Sequence, residues 1–203
     1  MTGHAPASAA REQPRIVGKV RSVVSHLEMF APPGGTPLQP PCEGTEIVRA
    51  LNTTLSFYRF LYGSVGGPWV WWRRHHMADA ELAAAVHDQR VDIRVLWVHG
   101  VPAGYAEIDG RKGDDAELAY FGLMPEFIGR GLGAYFLDAI VRHAWSKPIR
   151  RFWVHTCELD HPRALGGYER AGFALFDREE GYEYLLEGMA LPQHVADRTV
   201  EEP

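Results

Sequence analysis

Apolar residues along the chain recur with two different periods, and the changes between them mark its elements. Val20 to Phe30 is dense in β-branched and apolar residues and predicts a strand. Residues 31–44 carry five prolines and three glycines, which remove backbone donors and add freedom, and predict a loop. Ile47 to Leu51 fits a short second strand. Leu55, Phe57, Tyr58, Leu61 and Tyr62 then return at helical spacing behind Asn52 or Thr53, either of which can cap the helix. Gly63, Gly66, Gly67 and Pro68 are expected to end it. A short helix opened by Asp79 follows, with Leu82 and Val86 on one face. Asp92 to Val98 sets Ile93, Val95 and Trp97 against Arg94, the alternation of a half-buried strand. It turns at His99-Gly100 and returns as Val101 to Asp109. A polar turn at 111–115 leads into a third strand, Glu117 to Leu123.

The second half repeats the pattern with more helix. Leu132, Phe136, Leu137, Ile140, Val141, Ala144 and Trp145 form one continuous helical stripe. Arg151 to Cys157 reads as a strand. Pro162 to Ala171 reads as a helix, stopped by Gly172. Phe173–Phe176 and Gly181–Leu186 read as a closing hairpin. Residues 1–14 are small and polar and predict a mobile tail, and residues 192–203 predict a frayed end, leaving 15–191 as a single domain. The order of elements predicts a mixed α/β, or α+β, fold without internal repeats.

Composition narrows the function. The chain has 203 residues, enough for one full core, and a net charge of -5, which does not favour the basic face that a general grip on nucleic acid requires. There is no apolar run of about 18 residues to span a membrane, and the opening segment lacks an apolar core of leader length. The two cysteines, Cys42 and Cys157, lack metal-ligand spacing and fit reduced thiols. A cytoplasmic protein is therefore expected. The ten histidines include no H-E-x-x-H, so no metal site is predicted.

The chemistry concentrates in residues 117–140. A strand runs into Gly129-Arg130-Gly131-Leu132-Gly133, and a helix follows. Glycines admit a close backbone approach, and the first amides of a helix have no internal partner and sit at the positive end of its dipole. Arg130 adds a full charge. The spacing fits neither the dinucleotide fingerprint nor the Walker loop, so the loop by itself supports either an anion site or a plain strand-to-helix turn.

A second segment, residues 152–173, resolves that choice. Tyr168-Glu169-Arg170-Ala171-Gly172-Phe173, preceded by Ala164 and His161, together with Gly131 and Gly133, is similar to the paired motifs of the GNAT superfamily of N-acetyltransferases. The resemblance covers residues 115–186 in detail and 45–114 in pattern. It implies a mixed, mostly antiparallel central sheet flanked by helices, with a V-shaped split at the cofactor strand. It also implies acetyl-CoA as co-substrate and direct transfer of its acetyl group to the amine of a small-molecule or peptide acceptor. On the same basis Phe121 and Leu123 would pair through their backbones with the pantetheine arm. The amides of Ile128, Gly129, Arg130, Gly131, Leu132, Gly133 and Ala134 would hold the pyrophosphate, and Tyr168 would protonate the departing thiolate. Ile128 stands where the family carries Arg or Gln, which removes one side-chain contact and predicts a weaker grip. His161 stands where the family carries Asn, either as a donor to the cofactor arm or as a helix-start residue.

The base that takes the amine's proton is open between Glu117, Glu107 on the preceding strand, and a chain of waters. Trp71, Trp72 and Arg73, in a segment that walls the acceptor site in the family, together with Glu107, are candidate acceptor contacts, and they suggest an acceptor with a carboxylate or an apolar ring. The alternative is that the tryptophans are core and the arginines solvated. His155 reads as a core histidine. The closing hairpin and the tryptophan segment are candidate homodimer surfaces. A different reading of the whole is a non-catalytic acyl-CoA sensor, which would need no acid at Tyr168.

Overall fold

The computed structural model describes residues 14–203, so the predicted tail at 1–14 lies outside the described residues except for Pro14. The elements are β1 (Ile16–Met29), β2 (Thr45–Arg49), α1 (Leu55–Gly66), α2 (Arg73–His76), α3 (Asp79–Val86), β3 (Val91–Val98), β4 (Val101–Lys112), β5 (Asp115–Leu123), α4 (Leu132–Ala144), β6 (Arg151–Cys157), α5 (Ala164–Arg170), β7 (Ala174–Leu186) and β8 (Val200–Glu201). The strands form one sheet in the order β2-β3-β4-β5-β6-β1-β7, with β8 against β1. Every neighbouring pair is antiparallel except β5 and β6, which run parallel and pair only through Asp115, Ala116 and Glu117. Beyond Glu117 the two strands part, giving the V-shaped split. This is the mixed, mostly antiparallel α/β sheet that the sequence predicts.

Both faces of the sheet are covered. Alternation along β4 sends Ala106 and Ile108 to one core, with Phe136, Ile140 and Val141 of α4. It sends Tyr105 to the other, with Tyr58, Leu61 and Val65 of α1 and Leu82 of α3. β3 is covered on both sides too, with Leu96 and Val98 in the first core and Ile93 and Val95 in the second, so it is not the half-buried strand its alternation suggests. The C-terminal end of α4 is tied to β3 at Asp92, which is 2% exposed. His143 Nε2 lies 2.8 Å and Lys147 Nζ 2.9 Å from Asp92 Oδ2. Burial works to raise the pKa of that carboxyl, yet the bonds from Lys147 and His143 bring it down to about 2.

Several local expectations change. The cap of α1 is Thr54, whose hydroxyl accepts from the Phe57 amide; Thr53 Oγ1 instead donates to the Ala50 carbonyl, and Asn52 sits in a left-handed turn. Helix α1 runs on through Gly63 but ends, as expected, at Gly66 with Gly67 as its C-cap. A Cβ at Gly63 would run into the His75 ring and one at Gly66 into the Trp71 ring. The closing hairpin is a single strand, β7, because β1 offers a long antiparallel edge from Ile16 to Glu28, with register shifts at Ile16/Gly18 and His26/Leu27. Its polar middle pairs with β1 through Arg21 with Glu180 and His26 with Glu179. Residues 192–203, expected to fray, are docked instead. Val195 is buried, Arg198 Nη1 lies 2.8 Å from Glu158 Oε2, and Val200–Glu201 pairs with Lys19 and Val20. β8 thus takes the edge of β1 that β6 takes further along the same strand.

Phe136 is fully buried where α4 meets the split, its ring 5.2 Å from that of Phe121 on β5. Phe136→Ala should lower unfolding free energy by about 3–5 kcal/mol, measured by urea denaturation, since the enclosed site has little freedom to collapse.

Candidate active site

Because β6 leaves β5 after Glu117, the backbone edge of residues 118–123 on that side has no strand partner. The opening is a cavity of about 570 Å³. One bank is β5 itself, with Phe121 and Leu123 on the wall. The loop and first turn of α4 contribute Ile128, Gly129, Gly131, Gly133 and Ala134, and the opposite bank carries His161 and Tyr168. Ten of the candidate cofactor, acceptor and catalytic residues, these nine and Trp71, are therefore brought to one cavity.

The loop has open space and an uncapped helix start. Gly129 and Gly131 have φ of 84° and 80°, a conformation that other residues rarely adopt. Gly131 is the N-cap of α4 and supplies no side-chain bond, so the first-turn amides have no side-chain partner. A Cβ at Gly129 would meet nothing within 4 Å, and one at Gly133 would touch only the Leu123 side chain at 3.7 Å. The glycines thus leave open space in front of uncapped amides, as a pyrophosphate needs. The Arg130 guanidinium lies over the Phe127 ring at 5.3 Å and does not line the cavity. Leu132 is 1% exposed and faces the core, so only its backbone is at the loop. The proline-bearing loop reaches the same place. Leu38 is on the cavity wall, and its amide donates to Asp138 Oδ2 on α4 at 3.0 Å.

Tyr168 is buried, with its ring 6.3 Å from Phe121 and 6.0 Å from Phe173. Burial, and then the charge of Asp160, push its phenol well above the usual tyrosine range, so it stays protonated. His161 Nδ1 accepts from the Arg163 amide at 3.1 Å. Burial, then the charges of Arg163 and His194, hold this imidazole below its usual pKa. A neutral ring accepting at Nδ1 carries its proton on Nε2, so His161 can donate.

Four sequence candidates lie elsewhere. Glu117 is off the wall, with Oε1 3.3 Å from His155 Nδ1 and Oε2 3.7 Å from Lys112 Nζ. It meets the cavity only through His155, which lines it and is no core residue. Glu107 is fully buried on the α1 side. It accepts from Tyr58 Oη at 2.5 Å and Arg74 Nη2 at 2.7 Å, which leaves it closed to an acceptor. Trp72 and Arg73 line a separate cleft with His76 and Glu81. Tyr120, Asp160 and Arg163 stand on the cavity wall without having been singled out, and so do Trp69 of the tryptophan segment and Arg170 of the tyrosine motif, which had no separate role. Arg163, Gly167 and Arg170 fall at i, i+4 and i+7 of one helix face, a spacing that could have flagged the arginines. Tyr120 and Asp160 carry no such signal.

The Glu107 pair lies directly under the cavity, with the Arg74 guanidinium 5.4 Å from the Tyr120 ring. Burial raises the pKa of Glu107, and Arg74 and Tyr58 oppose that rise. Arg74→Met should therefore destabilise the fold by about 3–5 kcal/mol in thermal or urea melts, by leaving a buried charge unpaired. The double variant Arg74→Met/Glu107→Gln should recover most of that loss.

Comparison with known proteins agrees with this geometry. The sequence model of the acetyltransferase (GNAT) family matches residues 56–173. No curated protein matches in sequence. Among solved structures, a GCN5-related N-acetyltransferase from Sphaerobacter thermophilus superposes with a TM-score of 0.60 at 16% identity, over 89% of this chain and 55% of that one. A putative GNAT-family acetyltransferase from Novosphingobium aromaticivorans gives 0.53 at 18% identity, over 85% and 66%. The ribosomal-protein-S18-alanine N-acetyltransferase from Escherichia coli gives 0.52 at 17% identity, over 73% and 97%. The chain thus spans little more than half the length of the first of these. At such identities the likeness is one of fold, and it is the family match, over more than half of the sequence, that decides: this chain belongs to the GNAT acetyltransferase family.

Proposed function

We propose that this chain is an acetyl-CoA-dependent N-acetyltransferase that transfers the acetyl group by direct attack to the amine of a small-molecule or peptide acceptor. The observation that carries the reading is that the uncapped amides of the Gly129–Gly133 loop and the protonated Tyr168 face one cavity from its two banks. Acetyl-CoA supplies the activated acyl group and a thiolate leaving group. The residues that fit it are the amides of 128–134 for the pyrophosphate and the unpaired β5 edge near Phe121 and Leu123 for the pantetheine amides. Arg163 and Arg170, on the same wall, add positive charge for phosphates. His161 adds a donor at Nε2.

Tyr168 serves as the acid. A phenol is about 1.5 pKa units weaker as an acid than a thiol in water, so it keeps its proton until a thiolate develops beside it. No protein nucleophile is required. Cys157 is unsuited to that role, because burial, with a contribution from Asp160, pushes its thiol up to about 12. Deprotonation of the amine falls to His155, backed by Glu117, or to water in the cleft. Both cysteines are unpaired, which supports action in the reducing cytoplasm.

The test is CoA release from acetyl-CoA against a panel of primary amines. Tyr168→Phe should lower kcat about a hundredfold with little change in acetyl-CoA affinity. Equal rates would remove Tyr168 from the chemistry. Tight binding of acetyl-CoA without turnover on any amine would make the chain a sensor.

A further inference from the structure

The cavity wall around Asp160 has an unusual charge arrangement. Asp160 lines it, and each of its carboxylate oxygens is held by neutral donors. Trp71 Nε1 donates to Oδ1 at 3.0 Å, and Thr156 Oγ1 at 2.8 Å and the Cys157 amide at 3.0 Å donate to Oδ2. No lysine, arginine or histidine among the described residues forms an ion pair with it. Arg163 and Arg170 line the same wall, and neither is hydrogen-bonded to Asp160 among the described residues. The negative charge is therefore fixed in place by neutral donors, with no direct cationic partner among the described residues. Its field is felt nearby, because after burial it is the next cause that keeps both Tyr168 and Cys157 protonated.

Aromatic rings share the cavity wall with this carboxylate. Trp71, fixed by its bond to Asp160, lies 5.2 Å from the Tyr120 ring, and Trp69 lies 5.2 Å from the His161 ring. All four rings line the cavity with Asp160. Indole and phenol faces attract a cation, and a partly desolvated carboxylate with only neutral partners gains most from one. Arg73, the cation expected to draw an acidic acceptor, faces a different cleft.

The geometry points to Asp160, with Trp69, Trp71 and Tyr120, as the binding site for a cationic group on the acceptor: a primary amine that also carries a guanidinium or a second alkylammonium. This assignment rests on the proposed acetyl transfer and names its acceptor class. Asp160 acts here as the carboxylate that holds the charged group, and the aromatic rings exclude water around it.

Three amines of similar length test it: agmatine, its uncharged analogue N-carbamoylputrescine, and the anionic 6-aminohexanoate. The wild-type chain should use agmatine over N-carbamoylputrescine by at least about tenfold in kcat/KM, and 6-aminohexanoate least of all. Asp160→Asn should bring that ratio to within about threefold while the KM for acetyl-CoA stays unchanged. Thr156→Val, which removes a neutral bond but keeps the charge, should retain the preference. Wild-type use of the neutral or anionic amine on a par with agmatine would overturn the assignment. So would an equal loss on all three in Asp160→Asn, which marks a structural role. Calorimetric binding of agmatine is read in parallel. Absence of turnover on every amine would sink the proposed activity, whereas agmatine binding that vanishes in Asp160→Asn would still establish the cation site, and absence of that binding would reject it.

Discussion

Strands β5 and β6 hydrogen-bond at Asp115 to Glu117 and then separate, and the rest of the molecule is arranged around that parting. A parallel pair left half-formed exposes unsatisfied backbone groups, which a closed core would not tolerate. Here they border a cavity that α4 and α5 flank with an uncapped helix start on one side and Tyr168 on the other. The bulge in β5, where Ala119 is skipped between the Glu107–Tyr120 and Ile108–Leu118 pairs, lies at the mouth of the same split. Phe136, packed on Phe121, and the Asp92 cluster at the far end of α4 hold the helix against the sheet so that its first turn keeps its aim.

Two carboxylates near the cavity are treated in opposite ways. Glu107 is sealed beneath Tyr120 and matched by Arg74 and Tyr58, which makes it part of the scaffold that fixes the aromatic wall. Asp160 faces the cavity and meets only neutral donors. Both are costly to bury; the first is compensated within the chain, and the second is free to be compensated by a ligand. The contrast lies in the partners rather than in residue type.

The strand that separates β6 from β7 comes from the beginning of the described chain. β1 pairs with β7 along one edge and with β6 and then β8 along the other, so both ends of the described segment close the same side of the sheet. Leu27 and Met29 at its far end join the core around Phe152 and Phe173, directly behind Tyr168. The position of the acid is thereby linked to residues far away in sequence.

The sequence by itself determined the alternation that builds β3 to β5, the stripe of α4, the glycines whose φ only that residue adopts readily, and the tyrosine segment on α5. Each is a local property, written in the period of apolar residues or in the needs of one turn. Tertiary structure decided what local pattern cannot encode. Gly63 looks like a helix stop, but it lies inside α1 and makes space for His75. The polar run at 177–180 looks like a turn, but the long free edge of β1 draws it into a strand. Trp71 and Trp72 are neighbours in the chain, yet one faces the cavity and the other a separate cleft. Two of the donors to Asp160, Thr156 and the Cys157 amide, are close in sequence, but the indole that holds its other oxygen is 89 positions away. Charge and apolarity can be read residue by residue, but whether a carboxylate is satisfied depends on which donors folding brings within about 3 Å of it.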